Sequence, residues 1–154
     1  MNEKFMKKAI ELSIKSAETT GGPFGSVIVR NNQILSEGYN GVTLNNDPTA
    51  HAEIIAIRNA CLKLNSFKLD GCEIYTSCEP CPMCLSAIYW AHLDKIYYAN
   101  TREDAKKIDF DDSMIYSEII KNIEIRKIPM IQMNRDEALK AFKIWDNKTD
   151  KIKY

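Results

Sequence analysis

The sequence predicts an α/β fold of three layers, α/β/α, with a mixed sheet between helices. Segments with an apolar residue every three or four positions alternate with short runs rich in isoleucine, valine and tyrosine. The first two strand-like runs form a hairpin and must pair antiparallel, whereas later ones are separated by helical segments. An apolar fraction of 45% over 154 residues suits one domain with a single core.

Each element has a local reason. Residues 3–19 carry Met6, Ile10, Ile14 and Ala17 at helical spacing, and Gly21-Gly22 ends that helix. Residues 26–29 and 34–35 flank Asn31-Asn32, a turn-prone pair, which predicts a β-hairpin. A loop spans 40–48, and Asp47-Pro48-Thr49 supplies helix-start chemistry. Ala50, Ile54, Ile57, Cys61 and Leu64 then share one helical face. Residues 72–76 read as a buried strand. Pro80 and Pro82 suit the opening of a second helix running to about Trp90, because proline is tolerated in a first turn. Residues 95–99 predict another strand, 111–120 a helix and 125–131 an extended segment. Ala138, Ala141, Phe142 and Trp145 share one face of a last helix over 136–147. No linker, repeat or low-complexity stretch divides the chain, so residues 1–154 are expected to form one domain.

Lys+Arg and Asp+Glu balance at 21 each. A strongly basic footprint for nucleic acid is therefore missing, leaving room only for a local patch. No apolar run approaches the ~20 residues of a membrane span. Residues 1–9 are charged and lack the apolar stretch of a signal peptide. The five cysteines, Cys61, Cys72, Cys78, Cys81 and Cys84, thus read as reduced thiols of a cytoplasmic protein rather than as a disulfide framework.

The chemistry lies in a split signature, His51-Ala52-Glu53 followed by Pro80-Cys81-Pro82-Met83-Cys84. His51, Cys81 and Cys84 are three strong zinc ligands, expected to hold one Zn2+ per chain. Three protein ligands leave a tetrahedral zinc one open position, the mark of a catalytic rather than a structural site. A water there becomes a nucleophile near neutral pH, because the cation lowers its pKa from ~16 towards ~7. Glu53 stands two residues from the first ligand, placed to move that water's protons. Both halves fall at predicted helix N-termini, where partial positive charge favours thiolates. Cys81-Pro-Met-Cys84 alone would also describe a redox pair, and the His51-Ala-Glu53 segment shifts the balance to zinc. Cys78 and His92 are the nearby candidates for a fourth ligand, but neither belongs to a second paired motif. Cys61 and Cys72 read as core residues.

With these residues in place, the chain resembles the cytidine and deoxycytidylate deaminase superfamily and, within it, is similar to bacterial guanine deaminases. The narrower likeness rests on Gly21-Gly22-Pro23-Phe24-Gly25, Asn46-Asp47-Pro48-Thr49, Tyr75-Thr76-Ser77-Cys78-Glu79-Pro80, and Phe110-Asp111-Asp112-Ser113. The last is similar to the substrate loop of guanine deaminases. The resemblance implies a cytidine deaminase-like fold with a central mixed five-stranded sheet. It implies hydrolytic deamination of guanine to xanthine and ammonia, by hydroxide attack at C2. Glu53 would pass a proton to a ring nitrogen and then to the leaving amine. Asp112 would accept from guanine's N–H and amine edge, which cytosine lacks. Asn40 offers a base edge both a donor and an acceptor, or is a plain turn residue. Phe24 and Trp90 are base-pocket walls or core aromatics. Glu79, beside the ligands, either orients a helix start or bears on the site. Asp111 reads as a helix-start residue. Tyr154 fits the C-terminal aromatic of guanine deaminases, whose C-terminal segment closes a neighbouring subunit's site. This implies a homodimer with C-terminal segment exchange, acting on a small purine base and not on a membrane.

Three alternatives share parts of the pattern. A tRNA adenosine deaminase would attack C6 of a flipped-out adenine with the same zinc chemistry. Zero net charge and the 110–113 segment count against it; Lys148, Lys151 and Lys153 could contact phosphate, but three lysines in such a run are more often simply solvated. A free-base cytosine deaminase is the second. A non-catalytic zinc-stabilised binding module is the third, and the open coordination position together with Glu53 argues against it.

Overall fold

The computed structural model describes residues 2–19 and 21–153, and the hairpin foreseen at Asn31-Asn32 opens its sheet. Both asparagines have positive φ, 51° and 60°. This is the conformation of a two-residue type I′ turn, whose twist matches that of the strands it joins. The turn links β1 (Gly25–Arg30) to β2 (Gln33–Tyr39). β3 (Cys72–Cys78) pairs antiparallel with β1, and β4 (Lys95–Asn100) pairs parallel with β3. The order is β2-β1-β3-β4, a mixed sheet.

Alternation along β1 divides the core between two faces. Val27 and Val29 pack with Tyr75 against Phe5, Ala9 and Leu12 of α1 (Glu3–Ala17). On the other face Ile28 and Ile74 pack against Ala56, Ile57 and Ala60 of α3 (Ala52–Leu64) and Ile88 of α4 (Pro82–Trp90). Leu69 and Cys72 complete this larger cluster. Helices on both faces give the three-layer α/β/α architecture.

Several local expectations need correction. The buried face of α1 is Phe5, Ala9, Leu12 and Ser16, whereas Ile10 and Ile14 are exposed. Both sets fit a helical period, and packing against β1 selects the first. Asp47 does not start α3: its carboxylate accepts from Thr49 N at 2.8 Å and closes a separate turn. A short α2 (Val42–Asn45) precedes that turn, and α5 (Arg102–Lys106) follows β4. The helix expected at 111–120 is α6 (Ser113–Ile119).

The sheet has four strands among the described residues, not five. The 125–131 segment forms no strand, and the N–H groups of its first three residues are used locally. Ile125 N donates to Asn122 O at 3.2 Å, Arg126 N to Ile123 O at 3.4 Å and Lys127 N to the Glu118 carboxylate at 2.6 Å. Pro129 has no N–H to offer a ladder.

The chain divides into two compact units, Met1–Asp112 and Ser113–Tyr154. The first holds the sheet and both clusters. The second holds α6, a 3-10 turn (Ile123–Ile125) and α7 (Arg135–Asn147), and none of its described residues is buried.

Candidate active site

Strand direction gathers the site. Gly25 pairs with Tyr39, Ser26 with Thr76, and Cys78 with Asn100. β1 therefore begins at the edge where β2, β3 and β4 end. Phe24, Asn40, the 79–81 segment and Thr101 all emerge there.

Two helices start at this edge. His51 is the N-cap of α3 and Cys81 the N-cap of α4, both with extended backbone and neither making a side-chain cap. Pro82 opens α4, where its missing N–H costs nothing. Gly41 N donates to Ala50 O at 2.8 Å, which ties the start of α3 to the end of β2. Gly38 lets α3 lie directly on β2: a Cβ there would meet Ala52 O at 2.1 Å and Ala56 N at 2.6 Å.

The side chains of His51, Cys81 and Cys84 converge, with ligand atoms within 4.8 Å of one another. His51 Nδ1 lies 3.6 Å from Cys81 Sγ and 3.5 Å from Cys84 Sγ. Bonds of ~2.1 Å to nitrogen and ~2.3 Å to sulfur at tetrahedral angles separate the two atoms by about 3.6 Å. The donor set thus fits zinc in both spacing and chemistry. With Nδ1 facing the metal position, the ring proton belongs on Nε2.

The charges agree. The hydrogen bond from Cys84, and then that with His51, lowers the Cys81 thiol to about 4. The same bond and burial push Cys84 up. One proton leaves the pair easily, and the second leaves when a cation takes its place. The Cys81 hydrogen bond raises His51. Cys78 lies outside the donor cluster, and its Sγ donates to Thr101 O at 3.6 Å. His92 lies past the end of α4 and is not in the cluster. Among the described residues the site offers three ligands and one open position.

Glu53, in the first turn of α3, is only 6% exposed. Burial, the largest cause, raises its carboxyl above the usual range. It faces the Cys84 thiol as a hydrogen-bond partner. Asp112 is half-buried; desolvation first, and then the Cys81 thiolate, raise it as well.

Asn40 is buried, and its Oδ1 accepts from Gly22 N and Val42 N, each at 3.3 Å. The side-chain oxygen is therefore committed, and Nδ2 is the donor end of this amide. The Phe24 ring meets Phe110 edge to face at 4.9 Å. Phe110 belongs to the 110–113 segment, and no sequence spacing signals its contact with Phe24. Trp90 lies six residues beyond Cys84, at the far end of α4, and is 64% exposed. Tyr154 falls outside the described residues.

A model of the cytidine and deoxycytidylate deaminase zinc-binding region matches residues 1–100. The chain belongs to that family. Among deaminases, it is 50% identical to the guanine deaminase of Bacillus subtilis (strain 168) over 154 residues, 99% of each chain. The crystal structure of Bacillus subtilis guanine deaminase superposes with a TM-score of 0.96 at 51% identity, covering 100% of this chain and 99% of that one. A tRNA-specific adenosine deaminase of Aquifex aeolicus is 39% identical over 97 residues, 63% of this chain and 64% of its own. The likeness to the Bacillus subtilis guanine deaminase thus extends over nearly the whole chain.

Proposed function

We propose that this enzyme converts guanine and water to xanthine and ammonia. The observation that carries the reading is the three-donor set with its open position, beside two carboxyls, Glu53 and Asp112, at one sheet edge. When bound, zinc supplies Lewis acidity and a water-derived nucleophile near neutral pH. Glu53 takes a proton from the attacking water and gives it to a ring nitrogen, then takes the remaining proton from the new C2 hydroxyl and passes it to the departing amine, which leaves as ammonia while the C2 carbonyl forms. Its burial raises the carboxyl above the usual range, the direction such a shuttle needs. Asp112 accepts from the N–H and amine edge of guanine, and Asn40 Nδ2 donates to an acceptor on the base. Phe24 forms one wall, with Trp90 and Tyr154 as further contacts.

The two units act as one deaminase domain, supported by the full-length likeness. The functional form is a homodimer in which the C-terminal segment, ending in Tyr154, covers an active site by exchange. The exposed Ile120, Ile131 and Phe142 of the second unit support a partnered state. No helix of the described residues is long and apolar enough to cross a membrane. Five free cysteines, two of them metal donors, suit a reducing compartment, and we place the enzyme in the cytoplasm.

Ammonia release from guanine, cytosine, cytidine, adenine and a tRNA anticodon stem tests the assignment. Guanine should be preferred. Release from tRNA adenosine and none from guanine would move the chain to the other deaminase branch.

A further inference from the structure

Glu79 joins the metal-ligand segment to the helix that carries the base-recognition loop, beside the contact of Cys78 Sγ with Thr101 O. Glu79 stands two residues before Cys81. Its backbone N–H extends the β3–β4 pairing by donating to Asn100 O at 2.8 Å. Its carboxylate reaches across to β4's exit, where Oε2 accepts from the backbone N–H of Arg102 at 3.2 Å. Arg102 is the first residue of α5, and its neighbour Thr101 closes a capping box with Asp104.

The loop beyond α5 is carried by that helix. Phe110 N donates to Ala105 O at 3.1 Å, and Lys106 Nζ pairs with Asp111 Oδ2 at 3.3 Å. Asp112 follows directly. Phe110 also rests on Phe24, so the loop is held at its far end by a ring contact. The position of Asp112 therefore follows α5, and Glu79 supplies a side-chain tie from the ligand segment to the first residue of that helix.

We propose that Glu79 is a positioning residue: its carboxylate locks α5 to the metal-ligand segment and so sets where Asp112 stands against the base. This rests on the guanine reading, in which Asp112 recognises the substrate. What Arg102 N–H requires is an acceptor oxygen at this distance rather than a negative charge. Glu79→Gln keeps such an oxygen and Glu79→Ala does not.

The test compares zinc-loaded wild-type protein with Glu79→Ala, Glu79→Gln, Asp112→Ala and the Glu79→Ala/Asp112→Ala double variant. Glu79→Ala should keep one zinc per chain and raise KM for guanine about tenfold, the worth of one hydrogen bond to a charged acceptor. Glu79→Gln should restore KM to within about twofold, and in the Asp112→Ala background Glu79→Ala should add less than about twofold. Additive losses in the double variant, or a glutamine variant as impaired as alanine, would overturn the proposal. Hydrogen exchange across residues 102–112 gives a readout independent of substrate: faster in Glu79→Ala, unchanged in Glu79→Gln. If wild type releases no ammonia from guanine, the guanine reading falls. The exchange result then still decides whether Glu79 holds this segment, and unchanged exchange in Glu79→Ala rejects it. If the alanine variant does not fold, Glu79→Asp, one methylene short, takes its place with the same expectations.

Discussion

Cys81 and Cys84 stand three residues apart on the opening turn of α4, one as its N-cap and the other within the helix. Their sulfurs meet His51 Nδ1 at distances a tetrahedral zinc requires. Site assembly is coupled to folding, so loss of either thiol should lower metal content and stability together. The Cys81→Ala, Cys84→Ala double variant should bind no stoichiometric zinc by elemental analysis; full retention would sink the ligand assignment. Asp112 makes a different claim, about which base is chosen. Asp112→Ala should reduce guanine turnover roughly tenfold or more, as the loss of a charged hydrogen-bond acceptor implies. Any weak cytosine activity should change far less, because cytosine lacks the edge that Asp112 reads. Equal losses on both bases, read by ammonia release, would remove Asp112 from specificity.

At the level of elements, the site depends on how closely α3 approaches β2. Gly38 allows that approach, with the backbone of Ala52 and Ala56 where a side chain would sit. Gly38→Ala should push α3 outward and cost ~1–3 kcal/mol, the usual range for overpacking. Because His51 and Glu53 begin that helix, zinc content and turnover should fall with the melting temperature. A variant that melts normally with full zinc would show that the helix start tolerates the shift. The hairpin and the start of α4 were legible because their causes are local, paired asparagines and Pro82 at a first turn, whereas α3 begins after His51 rather than at the Asp47-Pro48-Thr49 signal. The buried face of α1 was not legible, because Met6-Ile10-Ile14 and Phe5-Ala9-Leu12 are equally periodic. The 125–131 segment is expected to be extended and the resemblance implies five strands, but the Glu118 carboxylate and the local turn take up the N–H groups of residues 125–127. The approach of Asp112 to Cys81, and of Phe110 to Phe24, depends on strand order. No spacing in the sequence encodes it.

At the scale of the whole molecule, the first unit carries the core and the zinc site, while the second has no buried residue among those described. The proposed exchanged dimer gives that second unit its partner. Deleting residues 151–154 should leave zinc content and melting nearly unchanged yet clearly reduce guanine turnover, since a lid excludes water from the reacting centre. Mixing this truncation with Glu53→Gln under subunit exchange separates two arrangements. If the tail serves the partner, a mixed dimer places an intact tail over an intact centre and regains activity. If each tail closes its own site, activity stays low. Full activity of the truncated protein would remove the lid from the account.

The central claim is that an open three-ligand zinc site uses Glu53 to deaminate guanine. It is tested most directly by measuring zinc content and xanthine formation in the same samples of wild type and Glu53→Gln. The account predicts one zinc per chain in both, xanthine and ammonia in equal amounts from wild type, and a loss of roughly 10²–10⁴-fold in the variant. A zinc-loaded wild type that forms no xanthine, or a zinc-loaded Glu53→Gln that turns over normally, would contradict it.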